Sequence, residues 1–279
     1  MTIQYVASRK TKPIYMTPII PQGYRHIDGE WNNGFVIERV FDGSQFVWIP
    51  VGFLKSNGTH DGKNFNVKFG RRNFCHDDFS KKGFYEPMTE ELKKQCQSVQ
   101  EHGGFYLSRY YISPNEETGN PQSKKHAVPY YRITQYEAVQ IANKMESDES
   151  AGVSSHLLYG SEYDSVLEWF IDSKARTLDE IAVCSENWGN YSSTVYCPGH
   201  SEEWCTNKIY DFAGNSYLWT QERAYNEFIN DAVVLRGGRY YYGRPVAHRW
   251  NVAPTYKNLY VIRVALYIAP TQKSECIFE

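Results

Sequence analysis

The chain has 279 residues, 41% of them hydrophobic, enough for one large domain with a sizeable core. Its formal net charge is -2 with acidic and basic residues interspersed, so there is no positive stripe for a phosphate backbone, and nucleic acid is excluded as an expected partner. No run approaches the length of a membrane span and the first residues lack the apolar core of a signal peptide, so the expectation is a soluble chain without membrane insertion.

In chain order, residues 1–22, with Pro13, Pro18 and Pro21, read as an N-terminal arm or linker, and the domain begins near Gly23 and runs to 279. Phe35–Val40 and Gln45–Val51 are predicted strands joined by Phe41-Asp42-Gly43-Ser44, whose Asp-Gly marks a hairpin. Residues 55–83, rich in Gly, Asn, Asp and Lys, read as a long surface insertion. Thr89 caps a short amphipathic helix to Val99, with apolar positions at Leu92, Cys96 and Val99. Gly104–Ile112 is a strand. Thr134 with Glu137 three residues on is a capping box before a helix carrying Ala138, Ile141, Ala142 and Met145. A third helix spans 161–171 with Ser161 as its cap. Residues 172–206 lack periodicity, and Val233–Leu235 and Val261–Ile268 are terminal strands. The expected class is α+β, loop-rich, with small antiparallel sheets and two to three helices.

The last stretch is unusual. Aromatic residues make up 16% of the chain, including 23 Tyr and 7 Trp, and mean hydropathy is low at -0.59, so many rings must lie half-buried or exposed. Between the two terminal strands lie Tyr240, Tyr241, Tyr242, Arg244, His248, Trp250, Tyr256 and Tyr260, broken by Gly243, Pro245 and Pro254. Tyr, Trp and Arg give large contact area with few rotatable bonds and one polar handle each, the composition of binding surfaces. The competing reading is an ordinary strand-and-loop end to the core.

Several short motifs in order point to a family. The strand Gly104-Phe105-Tyr106-Leu107, the helix start Ile133-Thr134-Gln135-Tyr136-Glu137-Ala138, Leu157–Asp164, Asp211-Phe212-Ala213-Gly214-Asn215 and Arg236-Gly237-Gly238 together resemble the formylglycine-generating-enzyme (sulfatase-modifying factor) domain. The resemblance covers about residues 35–268 and implies a C-type lectin-like fold of that subtype. Within it, the Arg-Gly-Gly followed by a polar and aromatic run and then Arg263-Val264-Ala265-Leu266-Tyr267 is similar to the variable proteins of diversity-generating retroelements. That likeness implies a rigid frame with a variable region at about 236–263. Position by position it implies a ligand-binding face of Arg239, Tyr241, Tyr242, Arg244, Val246, His248, Trp250, Asn251, Val252, Lys257, Leu259 and Tyr260. The partner it implies is a protein or glycan receptor on a cell surface, met by a phage tail protein on a virion or by a cell-surface adhesin; oligomeric state is not implied by these residues.

Three departures from the family are visible. Arg239 stands where the family has a small Ser, Val261-Ile262-Arg263 replaces Gly-Phe-Arg, and Leu218 takes the place of the Glu in Gly-Asn-x-x-Glu-Trp that helps hold calcium. An enzyme is not expected, because catalytic members act through paired cysteines in the segment equivalent to 236–263 and this segment has none. A formylglycine-generating-type oxidoreductase and a calcium-dependent carbohydrate lectin are the alternatives. No cofactor or metal is expected. Of six cysteines, Cys184, Cys197 and Cys205 with His200 leave open a zinc site or bridges, while His60-Asp61 and His76-Asp77-Asp78 read as solvated loop residues.

Overall fold

The run Phe46-Val47-Trp48-Ile49 is apolar without alternation because both faces of its strand are covered: Phe46 and Trp48 enter one core cluster, Val47 and Ile49 another. This strand lies inside a six-stranded sheet. The computed structural model describes residues 18–54, 65–75, 83–146, 152–238 and 243–269. Of the sequence expectations, the arm up to residue 17, most of the 55–83 insertion, His60-Asp61, His76-Asp77-Asp78, Tyr240 and Cys276 lie outside the described residues.

The strands are β1 (Tyr24–Asp28), β2 (Val36–Arg39), β3 (Gln45–Pro50), β4 (Gly52–Leu54), β5 (Phe65–Val67), β6 (Phe84–Tyr85), β7 (Gly104–Ser108), β8 (Ile112–Pro114), β9 (Pro121–Ser123), β10 (Val153–Leu157), β11 (Cys205–Thr206), β12 (Ile209–Tyr210), β13 (Leu218–Ala224), β14 (Val233–Arg236), β15 (Trp250–Val252) and β16 (Val264–Ile268). The helices among the described residues are α1 (Glu90–His102), α2 (Gln135–Met145), α3 (Gly160–Asp172) and α4 (Leu178–Ala182). Among the described residues six strands form an antiparallel sheet in the order β1-β2-β3-β7-β16-β10, four form a second in the order β15-β14-β13-β6, and the others form three two-stranded ribbons. The class is therefore mixed α+β, loop-rich and built on small antiparallel sheets, with four helices among the described residues where two or three were expected.

One face of the large sheet is covered by α1 and α3, whose Leu92, Val99, Val166, Leu167 and Phe170 join Val47, Phe105, Leu107 and Ala265. The opposite face takes Ala138, Ala142 and Met145 of α2 against Phe46, Tyr106, Val264 and Leu266. The α2 capping box is formed: Thr134 N–H donates to Glu137 at 2.6 Å, and Glu137 N–H donates back to the Thr134 hydroxyl at 3.1 Å. The β2–β3 hairpin is tied down by its own turn residue, since Arg39 donates to Asp42 (3.0 and 2.5 Å) and reaches Met145 O (2.6 Å) at the end of α2.

Four expectations need correction. The helix placed at 161–171 starts at Gly160, capped at Tyr159 rather than Ser161, because Glu162 accepts the Tyr159 N–H at 2.8 Å. The first helix runs three residues beyond Val99, to His102. The long strand at 104–112 is two, β7 and β8, with Arg109–Tyr111 between them. The described part of the surface insertion is not all surface: Val67 and Phe69 are buried, Arg71 reaches the buried Glu222 at 2.5 Å, and the Arg72 backbone N–H donates to the buried Asp164 at 2.7 Å. No helix of the described residues is long and apolar enough to cross a membrane.

Candidate ligand-binding face

The segment from the end of β14 to β15 is closed by charge. Arg236, the last residue of β14, and Arg249, just before β15, are held by the same two carboxylates. Arg236 donates to Asp164 at 2.6 Å and to Glu222 at 3.2 Å; Arg249 donates to Asp164 at 2.5 Å and to Glu222 at 2.8 Å. Asp164 comes from α3 and Glu222 from β13, so the cluster also ties the helix to the smaller sheet. Asp164, Glu222 and Arg236 are 0% exposed and Arg249 7%. Arg71 adds a third guanidinium, bonded twice to Glu222 at 2.5 and 3.0 Å.

Burial works against the charges of Glu222 and Arg236, and mutual pairing overrides it. It would raise the Glu222 carboxyl, but Arg249, Arg236 and Arg71 hold it well below the usual carboxylate range. It would lower Arg236, but Asp164 and Glu222 lift it above its ordinary value. Glu86 shows the reverse: burial and the neighbouring Glu222 push its carboxyl up to about 7, against the Ser161 N–H that donates to it at 3.1 Å.

The described backbone between the two arginines is held independently of their charges. Gly237 and Gly238 have φ of +97° and +76°, and a Cβ on Gly238 would sit 2.7 Å from the Tyr191 hydroxyl and 2.8 Å from Arg244 O. Gly214 N–H donates to Gly237 O at 2.6 Å, which gives the Asp211–Asn215 motif its structural role beside Arg236-Gly237-Gly238. Further along, Val246 N–H donates to Ser185 at 2.9 Å, the Tyr163 hydroxyl donates to Val246 O at 3.0 Å, and Ala247 N–H donates to Ile181 O at 3.2 Å. A further buried arginine, Arg263, anchors the start of β16. Its guanidinium donates to Ser108 O (2.8 Å) and Tyr210 O and lies over the Tyr111 ring (4.8 Å). With burial dominant, its pKa falls below the ordinary value.

The twelve residues expected on a solvent-facing site separate into three groups. Arg239, Tyr241 and Tyr242 lie outside the described residues. Arg244, Trp250 and Lys257 are exposed, Trp250 by 48%, and Asn251 and Leu259 are half-buried. Val246, His248, Val252 and Tyr260 are buried, contrary to the expectation that they face solvent. Val246 sits in the core cluster beneath α3 and α4, and Val252 pairs with Val233 and faces the core. Tyr260 stands edge-on to Trp219 at 5.1 Å, and His248 turns back under the chain with its N–H on Pro245 O at 2.9 Å. Trp250 and Asn251 do not share a face. Asn251 pairs with Val234 and Trp250 with Leu235, so these neighbours project from opposite faces of the small sheet.

Beside Asn251 the structure brings up residues the sequence reading passed over. The loop between β13 and β14 carries Tyr225, 73% exposed, and Phe228, 87% exposed. With Asn226, Glu227 and Asn251 they line an open groove of about 630 Å³. Tyr225 stacks on Tyr85 at 4.5 Å and 23°, and its N–H donates to Gly83 O at 3.1 Å. The available signal was two rings inside an Asn- and Asp-containing turn, where no apolar stripe could bury them.

The Cys184, Cys197, His200 and Cys205 set is not gathered round a point. His200 stacks on Tyr196 at 4.1 Å and lies 5.6 Å from Trp204, and the cysteines of the described residues are free thiols. Among the described residues no group of three or more His, Cys, Asp or Glu side chains is placed to hold a metal ion.

No family model matches the chain, and no curated protein matches it. Among solved structures, one described as "Crystal Structure of CarF" aligns at 12% identity over 59% of this chain and 87% of its own, with a TM-score of 0.44, a likeness too slight to carry an argument about fold or function.

Proposed function

We propose that this chain is a non-enzymatic binding protein, a variable protein of the diversity-generating-retroelement type. In this reading residues 23–279 form a C-type lectin-like domain of the formylglycine-generating-enzyme subtype. Its C-terminal region presents Arg244, Trp250, Asn251 and Lys257 to a protein or glycan receptor on a cell surface, as a phage tail protein or adhesin would. The observation that carries this reading is the shared carboxylate pair: Arg236 and Arg249 close the segment on Asp164 and Glu222, all buried. Side chains displayed between and beyond these arginines can then change without loss of the closure, since exposed substitutions shift stability by only about 0.5 kcal/mol.

The test is binding of the fluorescently labelled full chain to a panel of bacterial cells, read by flow cytometry. Trp250→Ala combined with Lys257→Ala is expected to weaken binding at least about tenfold, which is ~1.4 kcal/mol, with the melting temperature held. Unchanged binding, or a collapse of the melting temperature, overturns the reading. So does conversion of cysteine to formylglycine in a sulfatase peptide incubated with the protein and read by mass spectrometry.

A further inference from the structure

Resting on the reading of the chain as a binding protein, we infer that the groove between the β13–β14 loop and β15 is a calcium-independent site for a neutral saccharide. Tyr225 is the platform. One face of its ring is covered by Tyr85 at 4.5 Å, its backbone is held to Gly83 O at 3.1 Å, and the side chain is still 73% exposed. A ring fixed before binding loses little rotamer freedom when a ligand stacks on it. Phe228, 87% exposed, adds a second ring, and the turn presenting it is set by the Asn226 side chain, which accepts the Phe228 N–H at 2.8 Å.

Polar groups of both kinds face the same groove. Asn226 donates its amide to the Asn251 side-chain oxygen at 2.8 Å, which fixes the Asn251 amide with its nitrogen directed away from that bond. That nitrogen has donors to offer, and the Glu227 carboxylate, exposed and without a hydrogen bond or ion pair among the described residues, offers acceptors. Sugar rings ask for this combination: apolar C–H faces to lie on aromatic rings, and hydroxyls that accept from an amide and donate to a carboxylate. The groove is shallow and open, as a chain of sugars needs, and it has no cation of its own. Glu227 disfavours anionic glycans. Glu227 is the one carboxylate among the five residues lining the groove, few charged oxygens for a calcium ion, and the inferred binding runs through rings and hydrogen bonds.

The experiment is surface-plasmon titration of the full chain over immobilised cellohexaose, chitohexaose, mannan and galactan, with sialylated and sulfated glycans as the acidic arm, each with and without EDTA. The expected result is binding to at least one neutral glycan, unchanged by EDTA. Tyr225→Ala and Phe228→Ala should each weaken it at least about tenfold, and Glu227→Gln or Asn251→Ala roughly threefold to tenfold. Tyr225→Phe keeps the platform and should retain binding, which separates loss of the ring face from disturbance of the loop. No retention of any neutral glycan, retention abolished by EDTA, preference for acidic glycans, or binding indifferent to both alanine variants overturns the inference. If cells are bound through Trp250 and Lys257 while no neutral glycan is retained, the saccharide site fails and the binding-protein reading stands. If neither cells nor glycans are bound, both fail.

Discussion

Neutralising Asp164 should cost more than removing either arginine it holds. In Asp164→Asn the geometry survives, but Arg236 (2.6 Å) and Arg249 (2.5 Å) lose one of their two shared anions and the Arg72 N–H, donated at 2.7 Å, is left on an amide oxygen. Arg71, Arg236 and Arg249 then converge on Glu222 alone. Breaking a buried pair by removing one partner costs about 3–5 kcal/mol, because the remaining charge stays buried and unpaired. Arg249→Met is milder: Arg236 still spans both carboxylates and Arg71 still holds Glu222 at 2.5 Å, so two carboxylates face two guanidiniums. We expect a loss of about 1–3 kcal/mol there. Urea denaturation at pH 7 measures both, with the slope checked for constancy so that midpoint shifts are stability changes. In the double variant the penalties should fall short of their sum by more than about 1 kcal/mol, the mark of a shared interaction. If Asp164→Asn costs less than Arg249→Met, or less than about 1 kcal/mol, the cluster does not close the segment as described.

Three further outcomes are expected. Glu86 has its folded pKa raised to about 7 from 4.5, so the folded state holds the extra proton. Its contribution is complete below pH 4.5 and is lost as pH rises to about 7, and Glu86→Gln should stabilise the protein at pH 8 by at most about 3 kcal/mol while changing little at pH 4.5. His156 is fully buried and bonded to Glu162 at 2.8 Å; burial lowers its pKa, but the charge and hydrogen bond of Glu162 reverse that and leave it raised above 6.5. The stability from this pair is present below pH 6.5 and lost as pH climbs through the higher folded value, so His156→Gln should flatten that part of a urea-midpoint profile taken from pH 5.5 to 9. Gly238→Ala, which must hold φ at +76° with a Cβ 2.7 Å from the Tyr191 hydroxyl, should cost at least about 1–2 kcal/mol by denaturant titration.

How far the sequence disclosed the fold depended on whether an element announces itself by apolar spacing or by polar groups that find partners. The β2–β3 hairpin and α2 were legible because an Asp-Gly turn and a Thr-x-x-Glu box lie beside apolar runs. The same box at Thr177 and Glu180, bonded at 2.7 and 3.2 Å, caps α4, but five residues are too few to show a stripe. Strand β10, Val153-Ser154-Ser155-His156-Leu157, alternates nothing apolar in its middle. It is a strand because its five residues pair with β16, and its polar side chains are satisfied by residues distant in sequence: Ser155 donates to Ala142 O at 2.7 Å and His156 meets Glu162. In α3, Glu162 reaches back to the Tyr159 N–H, so the helix starts without the Ser or Thr that a cap rule looks for.

The same limit governs the candidate site. Resemblance marked the segment between Arg236 and Arg263, and the arginines at its ends are buried anchors, but a turn-rich run has no period from which to assign an inside and an outside. Val246 and Val252 are inward because each is apolar with a pinned or paired backbone, so their chemistry was the better guide than their place in the motif. Trp250 and Asn251 project to opposite sides because β15 is a strand, and a three-residue strand set among Pro and Gly is below what alternation can reveal. Strand geometry thus divides the display in two. Changes on the Trp250 face and changes on the Asn251 face meet different neighbours, the latter being the Tyr225 and Phe228 loop. Substitutions of Trp250 and of Asn251 should therefore contribute additively to receptor binding, within about 0.5 kcal/mol, and strong coupling between them would mean that one ligand reaches around the strand edge to both faces.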